Sequence, residues 1–231
     1  MSKKNNKKTI IWLFPGNAIK SNIVLCSIIK HNYFYKNYKN IFVFDGKGKN
    51  FELAKKNDFE CILSNKNLEE IKNFDYNFLI ACGWGYKVNE YFIKNAETAA
   101  INAHSSFLPD YKGASVYYHY WANVEKYAGA TIHFLTENFD EGNIIAQEKI
   151  FLSVKDSPID ILKKISYITS ILIREAILKI ENGEKGIEQK GGRYFYKANR
   201  YILWLHRVIN LFLYFSKNKR RWLTKFKVIK K

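Results

Sequence analysis

Asn102, His104 and Asp140 are the side chains of this sequence whose types and spacing can serve a single reaction. Asn102 and His104 follow the apolar run Ala99-Ala100-Ile101 and precede Pro109 and Gly113, at what reads as the end of a buried strand. Alternate residues of an extended chain project to one face, so an amide donor and a titratable imidazole stand side by side at the mouth of a sheet. That pair suits acyl transfer, because it can hydrogen-bond the oxyanion of a tetrahedral intermediate and hold positive charge beside it. Asp140 lies in Phe139-Asp140-Glu141-Gly142-Asn143, a tight turn between two strand-like runs. Its carboxylate can accept a proton and favour the charged form of a nearby imidazole. Each residue alone also has a structural account. A histidine at a strand end often only satisfies its packing, and Asp and Gly form turns wherever they occur.

The elements that must position these groups alternate in type. Residues 9–14, 41–44, 78–82 and 98–102 read as strands, with helices at 21–29, where Ser21 is the expected N-cap, and at 51–57. Residues 9–14 are apolar on both faces, as in a central strand. This alternation predicts an α/β protein with a Rossmann-like, mainly parallel sheet flanked by helices, whose ligands bind beyond the strand carboxyl ends. Farther on come a helix over 115–124, strands over 129–135 and 143–154, and a packing helix from Ser157-Pro158 to Gly183. A strand-like 193–196 and an amphipathic helix over 201–215 close the pattern. Pro15-Gly16-Asn17 ahead of a helix makes a generic anion-binding turn, without the spacing of a dinucleotide or P-loop site.

The formal charge of +17 is concentrated at the ends: Lys3, Lys4, Lys7 and Lys8, and eight Lys or Arg without an acid in 216–231. The body between is only mildly basic, which counts against a nucleic-acid-binding module as the main role. The organisation expected is a basic leader over 1–8, a catalytic domain over 9–198 and a short basic amphipathic C-terminal extension over 199–231. That extension suits a second subunit, as in a homodimer, the body of its own chain, or weak peripheral contact with an anionic membrane. Cys26, Cys61 and Cys82 share no short spacing, so no disulfide framework or metal site is expected, and cytoplasm is the natural compartment.

The ordered set Asn102-x-His104-x-Ser106-x-Leu108-Pro109, Tyr111-x-Gly113, Gly129-Ala130-Thr131-Ile132-His133-Phe134, Asp140-x-Gly142 and Ile144-Ile145-x-Gln147 resembles the folate-dependent formyltransferase family. That family includes glycinamide ribonucleotide transformylase, the catalytic domain of methionyl-tRNA formyltransferase, and the sugar N-formyltransferases. The resemblance covers about residues 9–190 and implies that Asn102, His104 and Asp140 form the catalytic trio. It implies 10-formyltetrahydrofolate as co-substrate, without a metal. Gly83, Trp84, Gly85, Tyr86, Lys87 and Val88, with Gly142, then line the folate pocket, and Gly16, Asn17, Ser106, Tyr111 and Lys112 meet the acceptor. His133 is expected beneath the site as support. The acceptor that fits best is a nucleotide-linked amino-deoxy sugar destined for a bacterial surface glycan. The transformylase loop Gly-Asn-Gly-Ser-Asn is replaced here by Gly16-Asn17-Ala18-Ile19-Lys20-Ser21-Asn22. After Tyr196 about thirty-five residues remain, fewer than a tRNA-binding domain needs. Glycinamide ribonucleotide is the alternative acceptor, and a non-catalytic nucleic-acid or surface-binding protein on this fold is the reading of a different class.

Overall fold

The computed structural model describes residues 7–197 and 199–216; of the expected basic ends, 1–6 and 217–231 lie outside the described residues. A seven-stranded sheet has the order β3-β2-β1-β4-β5-β7-β8. Its strands are β1 (Lys8–Phe14), β2 (Tyr38–Phe44), β3 (Glu60–Leu63), β4 (Tyr76–Cys82), β5 (Ala96–His104), β7 (Tyr127–Phe134) and β8 (Ile144–Phe151). The first five run parallel, while β7 and β8 are antiparallel to their neighbours. The expected mainly parallel α/β sheet is therefore present. The short edge strand β3 escapes a reading by hydrophobicity because Glu60-Cys61-Ile62-Leu63 is only half-buried.

Both faces of the sheet are covered, which explains the continuous apolar runs. Ile10, Trp12 and Phe14 point to the side covered by α1 (Ile19–Lys30) and α6 (Pro158–Glu181), and Ile11 and Leu13 point to the other. α6 opens with a capping box, Ser157 accepting from the Asp160 N–H and Asp160 from the Ser157 N–H, with Pro158 in its first turn. Short helices α2 (Tyr33–Asn37), α3 (Lys49–Lys56) and α4 (Glu90–Lys94) fill the crossovers. A two-stranded parallel patch joins β6 (Lys112–Gly113) to β9 (Tyr194–Phe195). It brings the segment after α6 against the loop that follows β5. α5 (Val116–Ala122) carries α7 (Arg200–Phe215) on its outer side.

The start of α1 corrects one expectation. The helix begins at Ile19 with Ala18 at its N-cap, and Ser21 lies inside it, fully buried, donating to the Cys82 carbonyl at 3.2 Å. The Asn50 side chain closes the turn ahead of it by donating to the carbonyls of Pro15 and Ala18. Among the described residues, no helix is long and apolar enough to cross a membrane.

Candidate active site

β5 is where the sheet changes from parallel to antiparallel pairing, and the candidate trio gathers at its carboxyl end. Register places Asn102 opposite His133 and His104 opposite Thr131 on β7. The chain leaving β7 returns through a turn in which Asp140 adopts φ 56°, a left-handed conformation that Asp tolerates better than most residues. Gly142, two residues on, packs against β7 so closely that a Cβ there would stand 1.9 Å from the Phe134 carbonyl oxygen. Together these aim the Asp140 carboxylate back at β5.

One carboxylate oxygen collects three side chains. Asp140 Oδ1 lies 3.1 Å from His104 Nδ1, 3.4 Å from Asn102 Nδ2 and 3.5 Å from His133 Nε2. Oδ2 accepts the Gly113 N–H at 2.8 Å. Burial alone would raise the Asp140 carboxyl, but the charge of His104 and the hydrogen bond from it hold it well below the usual carboxylate range. The other His104 nitrogen, Nε2, is 3.0 Å from the Tyr111 carbonyl oxygen. Both nitrogens therefore face acceptors, and only a ring carrying both protons satisfies both. His133 Nδ1 donates to the Phe134 carbonyl at 2.8 Å, which leaves Nε2 to accept from Asn102 Nδ2 at 3.1 Å. His133 thus orients the Asn102 amide from across the sheet.

Asn102, His104, His133 and Asp140 line a cavity of about 380 Å³. Gly83, Trp84, Gly85, Tyr86, Lys87 and Val88, all expected at the folate, line the same cavity, with Tyr117 and Phe139 on other walls. A broader depression of about 900 Å³ lies beyond Gly85, Tyr86 and Lys87, but it holds none of the trio. The chemistry belongs to the smaller space. Trp84 supplies a test of fit for a pterin-bearing co-substrate. Its indole N–H is buried without an acceptor in the protein, a donor suited to a carbonyl or ring nitrogen of a ligand. Among the described residues no group of His, Cys, Asp and Glu is arranged to hold a metal ion.

The residues expected at the acceptor are placed outside the lining of this cavity. Ser106 is fully buried and donates to the Asp110 carbonyl at 3.0 Å. Tyr111 stacks between Tyr120 and Phe195, donates its hydroxyl to Glu125, and reaches the site only through its carbonyl. Lys112 leans toward Glu141, 4.0 Å away, and is outside the cavity lining, as is Gly142. Gly16 donates its N–H to Asp45 Oδ1 at 2.8 Å and abuts Gly46, while Asn17 is exposed; neither lines the cavity. For Ser106 and Gly16 the polar group is already spent on a partner within the protein. The loop after β5 is likewise held from within. Thr131 Oγ1 accepts the Leu108 N–H and donates to the Ser106 carbonyl, and Gln147 donates to the Leu108 carbonyl.

Lys20, on α1, lines the cavity although buried, and donates its ammonium to the Ala103 carbonyl, between Asn102 and His104. Burial lowers its pKa, against the pull of the Cys82 and Asp140 charges. A sequence signal existed: Lys20 takes an apolar place in the buried series shared with Val24 and Ile28.

A donor amide, an imidazole and an ionised carboxylate converge at a strand end of a doubly wound sheet, an arrangement able to stabilise a tetrahedral intermediate at a carbonyl carbon. The chain belongs to the formyl transferase family, whose model matches residues 36–177. That family works with 10-formyltetrahydrofolate. The chain is 32% identical over 129 residues to methionyl-tRNA formyltransferase of Borrelia garinii subsp. bavariensis, covering 56% of this chain and 41% of that protein. It is 30% identical over 124 residues to GDP-perosamine N-formyltransferase of Brucella melitensis biotype 1, covering 54% and 48% respectively. The matches thus span less than half the length of these two relatives. Among solved structures, glycinamide ribonucleotide transformylase 1 of Symbiobacterium toebii superposes with a TM-score of 0.69 at 19% identity, covering 81% of this chain and 96% of that one. WlaRD, a sugar 3N-formyl transferase crystallised with dTDP and 5-N-formyl-THF, gives a TM-score of 0.63 at 22% identity, covering 91% and 81%. At these identities the two structures share the fold.

Proposed function

We propose that this chain is a cytoplasmic enzyme that moves the formyl group of 10-formyltetrahydrofolate to the primary amine of a nucleotide-linked amino-deoxy sugar, for a bacterial surface glycan. The neutral amine attacks the formyl carbon, and the carbonyl oxygen takes up negative charge. The bond from that carbon to the folate nitrogen then breaks, and the proton lost by the amine ends on that nitrogen. The products are a formamide and tetrahydrofolate.

The chain's residues divide this work. Asn102 Nδ2 gives one hydrogen to His133 at 3.1 Å and the other to Asp140 Oδ1 at 3.4 Å, and the second, held more weakly, is the one that turns to the oxyanion. His104, with both nitrogens engaged internally, acts through its positive charge rather than by donating to the oxyanion. Asp140 stays ionised, stabilises that charge and orients a water that takes the proton once attack has made the amine nitrogen ammonium-like, and passes it to the departing folate nitrogen. Trp84 and the turn around it hold the pterin.

The choice of acceptor rests on the first loop. In glycinamide ribonucleotide transformylase the sequence resemblance makes that loop a phosphate site, whereas here Asp45 occupies the Gly16 N–H and its carboxylate repels a phosphate. The GDP-perosamine enzyme among the relatives supports an amino sugar in its place. The test supplies formyl-folate with dTDP-, GDP- and UDP-linked amino sugars, glycinamide ribonucleotide and charged initiator tRNA, and follows mass gain on each acceptor. Formylation of one sugar nucleotide is expected. Transfer to glycinamide ribonucleotide alone would assign the chain to purine synthesis instead.

A further inference from the structure

α7 is built inside out. A surface helix ordinarily buries its apolar stripe and offers polar groups to water. Here the polar groups turn inward: the Arg207 guanidinium donates to the carbonyls of Trp121 and Val154 and sits 4.5 Å over the Trp121 ring, and Asn210 donates to the Ala122 carbonyl at 3.0 Å. Leu203 and Leu213 are the buried apolar residues beside them. The outward face is apolar and aromatic, with Tyr201 68%, Trp204 54%, Phe212 74% and Phe215 73% exposed, together with Ile202 and Val208. No acid or lysine occurs in 201–216, so nothing charged interrupts that face.

A contiguous apolar face of this kind marks an interaction surface. The sequence that follows indicates its occupant: 217–231 contains eight Lys or Arg and no acid, interleaved with Trp222, Leu223, Phe226, Val228 and Ile229. Parallel pairing of two copies through this face would set two such charge clusters side by side, which repel. An anionic bilayer complements both features, since the apolar side chains enter the acyl boundary and the cations meet the headgroups. The sixteen described residues of this helix span only roughly 24 Å, and a face apolar on one side with polar groups turned inward suits an orientation in the interface plane. We propose that the outer face of α7 and the basic segment after it dock this enzyme on an anionic membrane surface. Docking of this kind does not depend on which amine is formylated.

The test is vesicle sedimentation of the full chain, with phosphatidylcholine alone and with phosphatidylcholine containing about one third phosphatidylglycerol. Binding to the anionic vesicles alone is expected, and it should weaken as salt is raised. The double variant Trp204→Ser, Phe212→Ser should weaken binding by about tenfold or more, while formyl transfer in solution and the circular dichroism spectrum are unchanged. Arg220→Glu with Arg221→Glu, in the basic sequence that follows, should do the same. The proposal is overturned if the chain ignores anionic vesicles or binds neutral ones equally well. A dimer in the absence of lipid that the double variant dissociates would overturn it in favour of a self-association surface.

Discussion

The His104 imidazole and the Asp140 carboxylate meet at 3.1 Å, Nδ1 to Oδ1, with both side chains less than a tenth exposed. In so dry a setting the pair is worth far more to charge placement than a surface ion pair. Asp140→Asn keeps the shape and removes the charge. It should fold and lose roughly a hundredfold or more in kcat for formyl transfer. Single-turnover kinetics would separate that loss from binding, and near-normal turnover would remove Asp140 from the chemistry.

The same contact sets a dependence on pH. A carboxyl whose pKa is lowered on folding contributes stability that is fully present above the unfolded value, about 4, and is lost as pH falls through the lowered folded value. Wild-type protein should therefore lose this contribution only below about pH 4. Asp140→Asn should flatten that acid limb. Urea midpoints measured across the acid range would show it.

How much of this was legible in the sequence depends on whether the relevant contact is local. The pairing of Asn102 with His104 follows from the two-residue period of a strand, and the Asp140 turn from its Asp and Gly. The alternation of strands and helices was equally plain. Cross-strand register was not: His133 faces Asn102 because β7 pairs antiparallel with β5, which no local pattern encodes. Nor could motif membership tell a residue that touches a ligand from one that holds the loop, as Ser106, Tyr111 and Gln147 do.

His133 is accordingly a positioning residue, and its substitution should differ in kind from that of Asn102. Asn102→Ala should cost about a hundredfold or more in kcat. His133→Ala should cost about tenfold, with His133→Gln recovering part of it by offering a side-chain acceptor to the amide. Parallel steady-state measurements suffice. No recovery with a folded Gln variant would point to packing rather than orientation.

Lys20 makes a buried tie from α1 to the peptide between the two β5 side chains. Lys20→Met keeps much of the volume, removes a desolvated ammonium and frees the Ala103 carbonyl. The melting temperature should hold or rise, because burying the cation is itself costly, while kcat falls about tenfold as the strand end loosens. A variant with unchanged kcat would reduce Lys20 to packing.

Trp84 carries the last prediction. It lines the cavity, meets the Tyr86 ring edge-on with centroids 5.5 Å apart, and keeps a buried indole N–H without a protein acceptor. Such a donor is costly in a finished structure unless a ligand completes it. Trp84→Phe preserves an aromatic wall and removes only the donor and the second ring. If the pterin accepts from this N–H, the KM for 10-formyltetrahydrofolate should rise roughly three- to tenfold, with kcat and thermal stability nearly constant. Titration of a non-reactive folate analogue should give the same ratio of dissociation constants, which separates binding from turnover. An unchanged constant in a folded variant would show that the pterin does not take this hydrogen bond.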